Sequence, residues 1–310
     1  MFKKILVESL KQVAEYPLLV RIAFLTGFVE TLGAFWRFGN TFYVILKHNI
    51  DISSLQGSLG EYLRAIFDVA MDNISFGTGF FLLLMGVIGY MFLYPIGHGM
   101  MIAYSEYKSG VKAFNIAWKR YFTITIAQAT LSVITIGSWH LLAFRYFYDW
   151  GILSNVLIQI FVVLVGTFLL VTSFLYAFAN VSTVADDFSS SKPVQQAQEA
   201  LKNSAKIAMD HPFVTIKFLL LSLVLQIRFF LTTVFVIGIP AVLIRFLMQI
   251  GLISEDSAVD IVLVTAGILL LASMYINSIV DAFFAVYRYK LYKELRDGPS
   301  DIIVPESSAQ

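Results

Sequence analysis

The 310-residue chain contains no cysteine, which excludes disulfides, thiolate metal sites and cysteine nucleophiles. Charge is scarce too: 14% of residues are Asp, Glu, Lys or Arg, where about 25% is usual in soluble domains. The 22 basic residues nearly cancel the 21 acidic ones, and a net charge of +1 leaves no surplus for a basic nucleic-acid-binding face. Catalytic signatures are missing as well. The four histidines, His48, His98, His140 and His211, are far apart and none belongs to a His-Glu-x-x-His pair. There is no Gly-x-Ser-x-Gly elbow, no Walker phosphate loop and no Gly-x-Gly-x-x-Gly turn. What the chain has in excess is apolar surface: 58% hydrophobic and 15% aromatic residues, with a mean hydropathy of +0.77. That balance excludes a water-soluble enzyme and a disordered chain and identifies a polytopic membrane protein.

Water is absent from the bilayer core, so a spanning segment must satisfy its own backbone groups as a helix or within a closed barrel. Uninterrupted runs such as Phe80-Phe81-Leu82-Leu83-Leu84-Met85 do not alternate as barrel strands do. The expected fold is therefore an all-α polytopic membrane bundle, with six transmembrane helices over 17–46, 76–104, 122–148, 152–185, 212–250 and 258–289. Residues 1–298 form a single transmembrane domain, and 299–310 are expected to be a disordered cytoplasmic tail. The last helix should continue as a polar rod to Arg296 and stop at Gly298-Pro299.

Most of the cations gather on one side of this scheme. Lys3, Lys4, Lys11 and Arg21 precede or enter the first span, and Lys108, Lys112, Lys119 and Arg120 surround the second connection. Lys192, Lys202, Lys206 and Lys217 surround the fourth, and Arg288, Lys290, Lys293 and Arg296 end the last span. The positive-inside rule then places both termini in the cytoplasm. Lys3-Lys4 does not begin a cleaved signal peptide, because Glu8, Lys11 and Glu15 interrupt the apolar stretch and no small-x-small site follows.

Before the first span, before the third and before the fifth lie segments that mix apolar residues with Lys, each expected to be a cytoplasmic amphipathic entry helix. Aligned on Pro17 and Pro212, Leu6 falls on Leu201, Ser9 on Ser204, Lys11 on Lys206 and Glu15 on Asp210, which suggests a hairpin unit used three times. Lys3, Lys4, Lys112, Lys119, Arg120, Lys202 and Lys206 are the candidate contacts to anionic lipid at the membrane surface. A further amphipathic helix over 53–73 is expected on the outer face, as a lid over the bundle.

An ionisable group within the bilayer costs about 2.5–3.5 kcal/mol on insertion scales, so each is a functional candidate. Glu30 and Arg37, two helical turns apart, share a face of span one; Gln226 and Arg228 in span five and Asn277 and Asp281 in span six can complete a network with them. That network either locks helix registry or lines a polar path. His98, between Gly97 and Gly99, is either a ligand or an interfacial hydrogen-bonding residue, and Gly238-Ile239-Pro240 should kink span five.

Six spans, amphipathic entry helices and a last helix in which Tyr289, Tyr292, Leu295 and Arg296 recur, with Ala200, Lys202, Ser204 and Lys206 before span five, resemble a bacterial superfamily. It includes the membrane domain that precedes the catalytic barrel of some glycerophosphodiester phosphodiesterases. The barrel itself has no counterpart in this chain, so the resemblance implies no catalytic residue, cofactor or metal. With no catalytic constellation in the chain, the expected function is that of a non-enzymatic protein of the bacterial cytoplasmic (inner) membrane that organises lipid or serves as a subunit or scaffold of a membrane complex. The alternative is a small-solute or lipid transporter with a polar path through the bundle. The expected partners are bilayer lipids, anionic ones included, and a protein of such a complex.

Overall fold

A computed structural model describes residues 2–29, 31, 86–134, 156–233, 235–236, 239–252 and 255–298. Among them every regular element is a helix, as the hydropathy pattern requires. The first, α1 (Phe2–Glu15), ends where Pro17 has no N–H to continue the ladder. Proline is tolerated in a first turn, and α2 (Pro17–Val29) starts there after a bend of 93°. Pro212 acts alike: α8 (Pro193–Asp210) meets α9 (Pro212–Thr233) at 109°. Both entry helices therefore turn sharply into an apolar helix.

Between these two units run α3 (Gly86–Tyr107), α4 (Gly110–Lys119), α5 (Tyr121–Ile134), α6 (Val156–Leu175) and α7 (Ala179–Ala185). α3 contains a π-helical turn over Gly89–Leu93, just before Pro95. Pro95 cannot donate to the carbonyl of Met91, and the Tyr121 hydroxyl donates to that oxygen instead at 2.9 Å. Glycines allow close approach on both sides of α3. A Cβ at Gly97 would lie 2.3 Å from Thr26 Cγ2 on α2, and one at Gly99 would lie 2.7 Å from Ile124 Cδ1 on α5.

The run 152–185, read from sequence as one helix, is interrupted at Tyr176–Phe178. A buried serine supports the interruption: Ser204 Oγ accepts from the Phe178 N–H at 3.1 Å and donates to the Leu175 carbonyl at 3.0 Å. Beyond α9 the chain resumes in α10 (Ile239–Gln249), with Pro240 in its first turn. It ends in α11, 43 residues from Glu255 to Asp297 and about 65 Å long at 1.5 Å per residue. Gly298, at φ +80°, terminates it.

α11 is the axis of the molecule. Its Ala282, Ala285 and Val286 pack with Val13, Leu19, Ile22, Ala23 and Met101 on one side. Its Tyr287, Leu291 and Tyr292 pack with Ile5, Phe178 and Phe218 on the other. The final turns, expected from sequence to be a water-surrounded rod, are instead stapled to the bundle by Lys290–Glu8 at 3.6 Å and Lys293–Glu106 at 3.4 Å. The buried tyrosines explain the difference, since three aromatic rings per two turns give that end an apolar face to hide.

Among the described residues, three helical stretches are long and apolar enough to cross a membrane: Gly86–Tyr107, Val163–Ala185 and Gly267–Asp297. Counting each bent pair as a span gives five. The expected lid over 53–73, the tail from 299 and parts of the first five predicted spans lie outside the described residues.

Candidate functional site

α2, α3, α5, α6, α7, α9 and α11 surround a cavity of about 570 Å³, within the range of about 300–1,000 Å³ usual for ligand pockets. Its walls are largely apolar, with Met101, Leu131, Leu170, Ile216, Leu220 and Leu223. Leu170 on α6 is 58% exposed, and Leu220 and Leu223 on α9 are 57% and 58% exposed. Residues that both line the cavity and face outward mark its mouth, which therefore opens sideways between α6 and α9, the flank a bilayer would cover.

Polar groups concentrate on the inner wall. Arg228 of α9 and Asp281 of α11 form an ion pair inside it, their side chains only 18% and 14% exposed. Arg288 lines the same cavity two helical turns further along α11, about 10 Å along the axis. Its guanidinium lies 5.4 Å from the Phe218 ring centre and 4.7 Å from that of Phe284, two rings stacked at 5.3 Å. His98, one helical turn beyond the stacked Tyr94 ring, and Asn180 of α7 complete the set. His98 Nε2 and Asn180 Oδ1 are buried and have no hydrogen-bond partner among the described residues.

Of the network expected from sequence, Arg228 and Asp281 meet. Asn277, one turn from Asp281 and 2% exposed, donates to Thr31 Oγ1 at 3.2 Å and Thr232 Oγ1 at 3.5 Å, joining α11 to α9 and to the end of the first apolar helix. Glu30, Arg37 and the side chain of Gln226 lie outside the described residues.

Six of the seven candidate surface cations, Lys3, Lys4, Lys112, Lys119, Lys202 and Lys206, are exposed on α1, α4 and α8. On α4 they flank the outward residues Val111, Phe114 and Trp118, 74% exposed at the first of these. Such a face, apolar beside Lys, suits the headgroup level. Arg120 departs from the expectation by turning inward. Its Nη2 donates to the Asp186 carbonyl at 3.1 Å and its guanidinium lies 4.6 Å from the Phe188 ring centre. Burial draws its pKa below the ordinary value, against the opposing charges of Asp187 and Asp186.

Asp186, which the sequence did not single out, is the most connected polar residue of the described structure. It is 6% exposed. Its Oδ2 accepts from Tyr292 Oη and Ser182 Oγ, both at 2.5 Å, and from Asn203 Nδ2 at 2.9 Å. Its Oδ1 accepts from Arg296 Nη1 at 2.8 Å. One carboxylate thus joins α7, α8 and α11. Arg288 borders the polar end of α11, which in the sequence groups it with the cytoplasmic cations, whereas Asn180, closing the run Phe174-Leu175-Tyr176-Ala177-Phe178-Ala179, is the sequence signal of this wall.

Among the described residues no three His, Asp or Glu side chains converge as a metal site. No protein-family description, curated protein or solved structure matches this chain.

Proposed function

We propose that this chain is a non-enzymatic integral membrane protein of the bacterial cytoplasmic membrane, that both its termini lie in the cytoplasm, and that it organises lipid by holding an amphiphile within its helical bundle. One observation carries the reading: a cavity with apolar walls and a charged inner face opens between α6 and α9, on exposed leucines. A lipid has the matching division into polar and apolar parts, and it is the molecule present at that flank. The exposed Lys-bearing faces of α1, α4 and α8 support the same reading, since they suit helices resting on an anionic leaflet.

Lipid transport is the second reading. It is favoured by the Arg228–Asp281 pair, which brings charge deep into an otherwise apolar wall.

The test is lipid retention. Full-length protein extracted in mild detergent is expected to keep lipid through washing, on the order of one molecule per chain by mass spectrometry of the intact complex. Ser222→Phe places a ring in the cavity and should reduce that occupancy several-fold while the protein still melts cooperatively. Equal loss of lipid from both proteins during washing would contradict the reading.

A further inference from the structure

We propose that the cavity selects its lipid by a hydroxyl on the head group, which hydrogen-bonds to Asn180 and His98 while the acyl chain leaves between α6 and α9. This inference rests on the lipid-binding reading above and adds the chemistry by which the head group is recognised.

Unmet hydrogen bonding in one wall is the first ground. Buried polar atoms without a partner are costly, and native structures keep few of them. His98 Nε2 and Asn180 Oδ1 are two such atoms, and both residues line this cavity, from α3 and α7 respectively. Hydroxyls of the same lining are spent within their own helices. Thr26 Oγ1 donates to the Ala23 carbonyl at 3.0 Å, and Ser173 Oγ donates to the Leu169 carbonyl at 2.6 Å. A purely apolar ligand would leave the imidazole nitrogen and the carboxamide oxygen unmet.

The second ground is what those two atoms require. A carboxamide oxygen only accepts, so its partner must donate. Ester and ionised phosphodiester oxygens, common to most membrane lipids, accept as well and cannot serve it. A hydroxyl both donates and accepts, so it satisfies Asn180 Oδ1 and also meets an imidazole nitrogen in either tautomer. An ammonium head would donate too, but a buried cation needs a carboxylate, and Asp281 of the described lining is already paired with Arg228.

The third ground distinguishes a lipid from a free polyol. Leu170, Ile216, Leu220 and Leu223 gain nothing from a small water-soluble alcohol, and the mouth bordered by Leu170, Leu220 and Leu223 faces the bilayer flank. A head group and the first part of one chain suit the 570 Å³ available, with the remaining chain outside.

The test compares two uncharged lipids that differ by one oxygen. Delipidated full-length protein in lauryldimethylamine oxide, a detergent without hydroxyls, is titrated with a 1,2-diacylglycerol. A parallel titration uses the 1,2-diacylpropanediol of the same acyl chains, in which a methyl group replaces the hydroxymethyl, and bound species are counted by native mass spectrometry. The expected result is about a tenfold preference for the diacylglycerol, as one or two buried hydrogen bonds would give, and no displacement of it by millimolar glycerol. Asn180→Leu and His98→Leu replace unmet polar atoms with apolar ones, so both variants should melt at or above the wild-type temperature and lose most of the preference. Equal binding of the two lipids, or a preference intact in both variants, would overturn the hydroxyl assignment and leave lipid binding standing. Displacement by glycerol would overturn the lipid as the source of the hydroxyl. Absence of any bound lipid in the wild type would overturn both readings.

Discussion

Asp281→Ala is expected to destabilise the protein by about 3–5 kcal/mol, because it leaves the Arg228 guanidinium in an apolar wall without its carboxylate. Arg228→Ala should cost a similar amount by the converse route. The double variant Arg228→Met with Asp281→Leu removes both charges and fills similar volume, and it should recover most of the loss, since ion pairs in low dielectric gain little over well-packed apolar groups. Thermal unfolding of the four proteins in one detergent gives the coupling directly. Losses that simply add in the double variant would show that the two residues do not act as a pair.

The second large effect concerns Asp186. Asp186→Ala removes the acceptor shared by Tyr292, Ser182, Asn203 and Arg296. Donors left buried without an acceptor cost about 1–3 kcal/mol each, more for a charged one, so a total loss of about 3–5 kcal/mol is expected even after partial relaxation. The end of α11 should loosen first, because Arg296 also donates to the Ala185 carbonyl from the same anchored position. Limited trypsin digestion should therefore cut after Lys293 and Arg296 faster in the variant than in the wild type. Tyr292→Phe, which removes one donor and keeps the ring against Phe178, should fall between the two. Unchanged melting and digestion in Asp186→Ala would mean that the carboxylate does not hold these helices together.

These two sites show what kind of information the sequence carries. Hydropathy and proline positions made the helices legible: Pro17 and Pro212 mark the bends, and Gly298 marks the end of α11. The Arg228 and Asp281 charges stood out because each interrupts an apolar run. Asp186 does not stand out, since it lies at the polar edge of its run, where a carboxylate is ordinary, and three of its four side-chain partners lie 17 to 110 residues away. Two of those partners, Tyr292 and Arg296, belong to the tyrosine-rich end of the last helix, and that pattern gives no hint of a shared acceptor. The interruption at Tyr176–Phe178 was hidden for a related reason. No proline or glycine marks it, and the hydroxyl that satisfies its backbone comes from Ser204 on another helix. The cavity is equally illegible, because it is a space left between seven helices, and periodicity reports which face of a helix is apolar without reporting how closely two faces meet.

The most direct measurement of lipid entry between α6 and α9 uses phosphatidylglycerol with a photoreactive acyl chain, incorporated with the full-length protein into nanodiscs, irradiated and mapped by peptide mass spectrometry. Labelling is predicted at the mouth residues Leu170, Leu220 and Leu223 and also at the interior lining residues Met101 and Ala177. Labelling confined to exposed residues that do not line the cavity, such as Val163, Phe213 and Leu243, would mean that lipid only coats the bundle and would contradict the account.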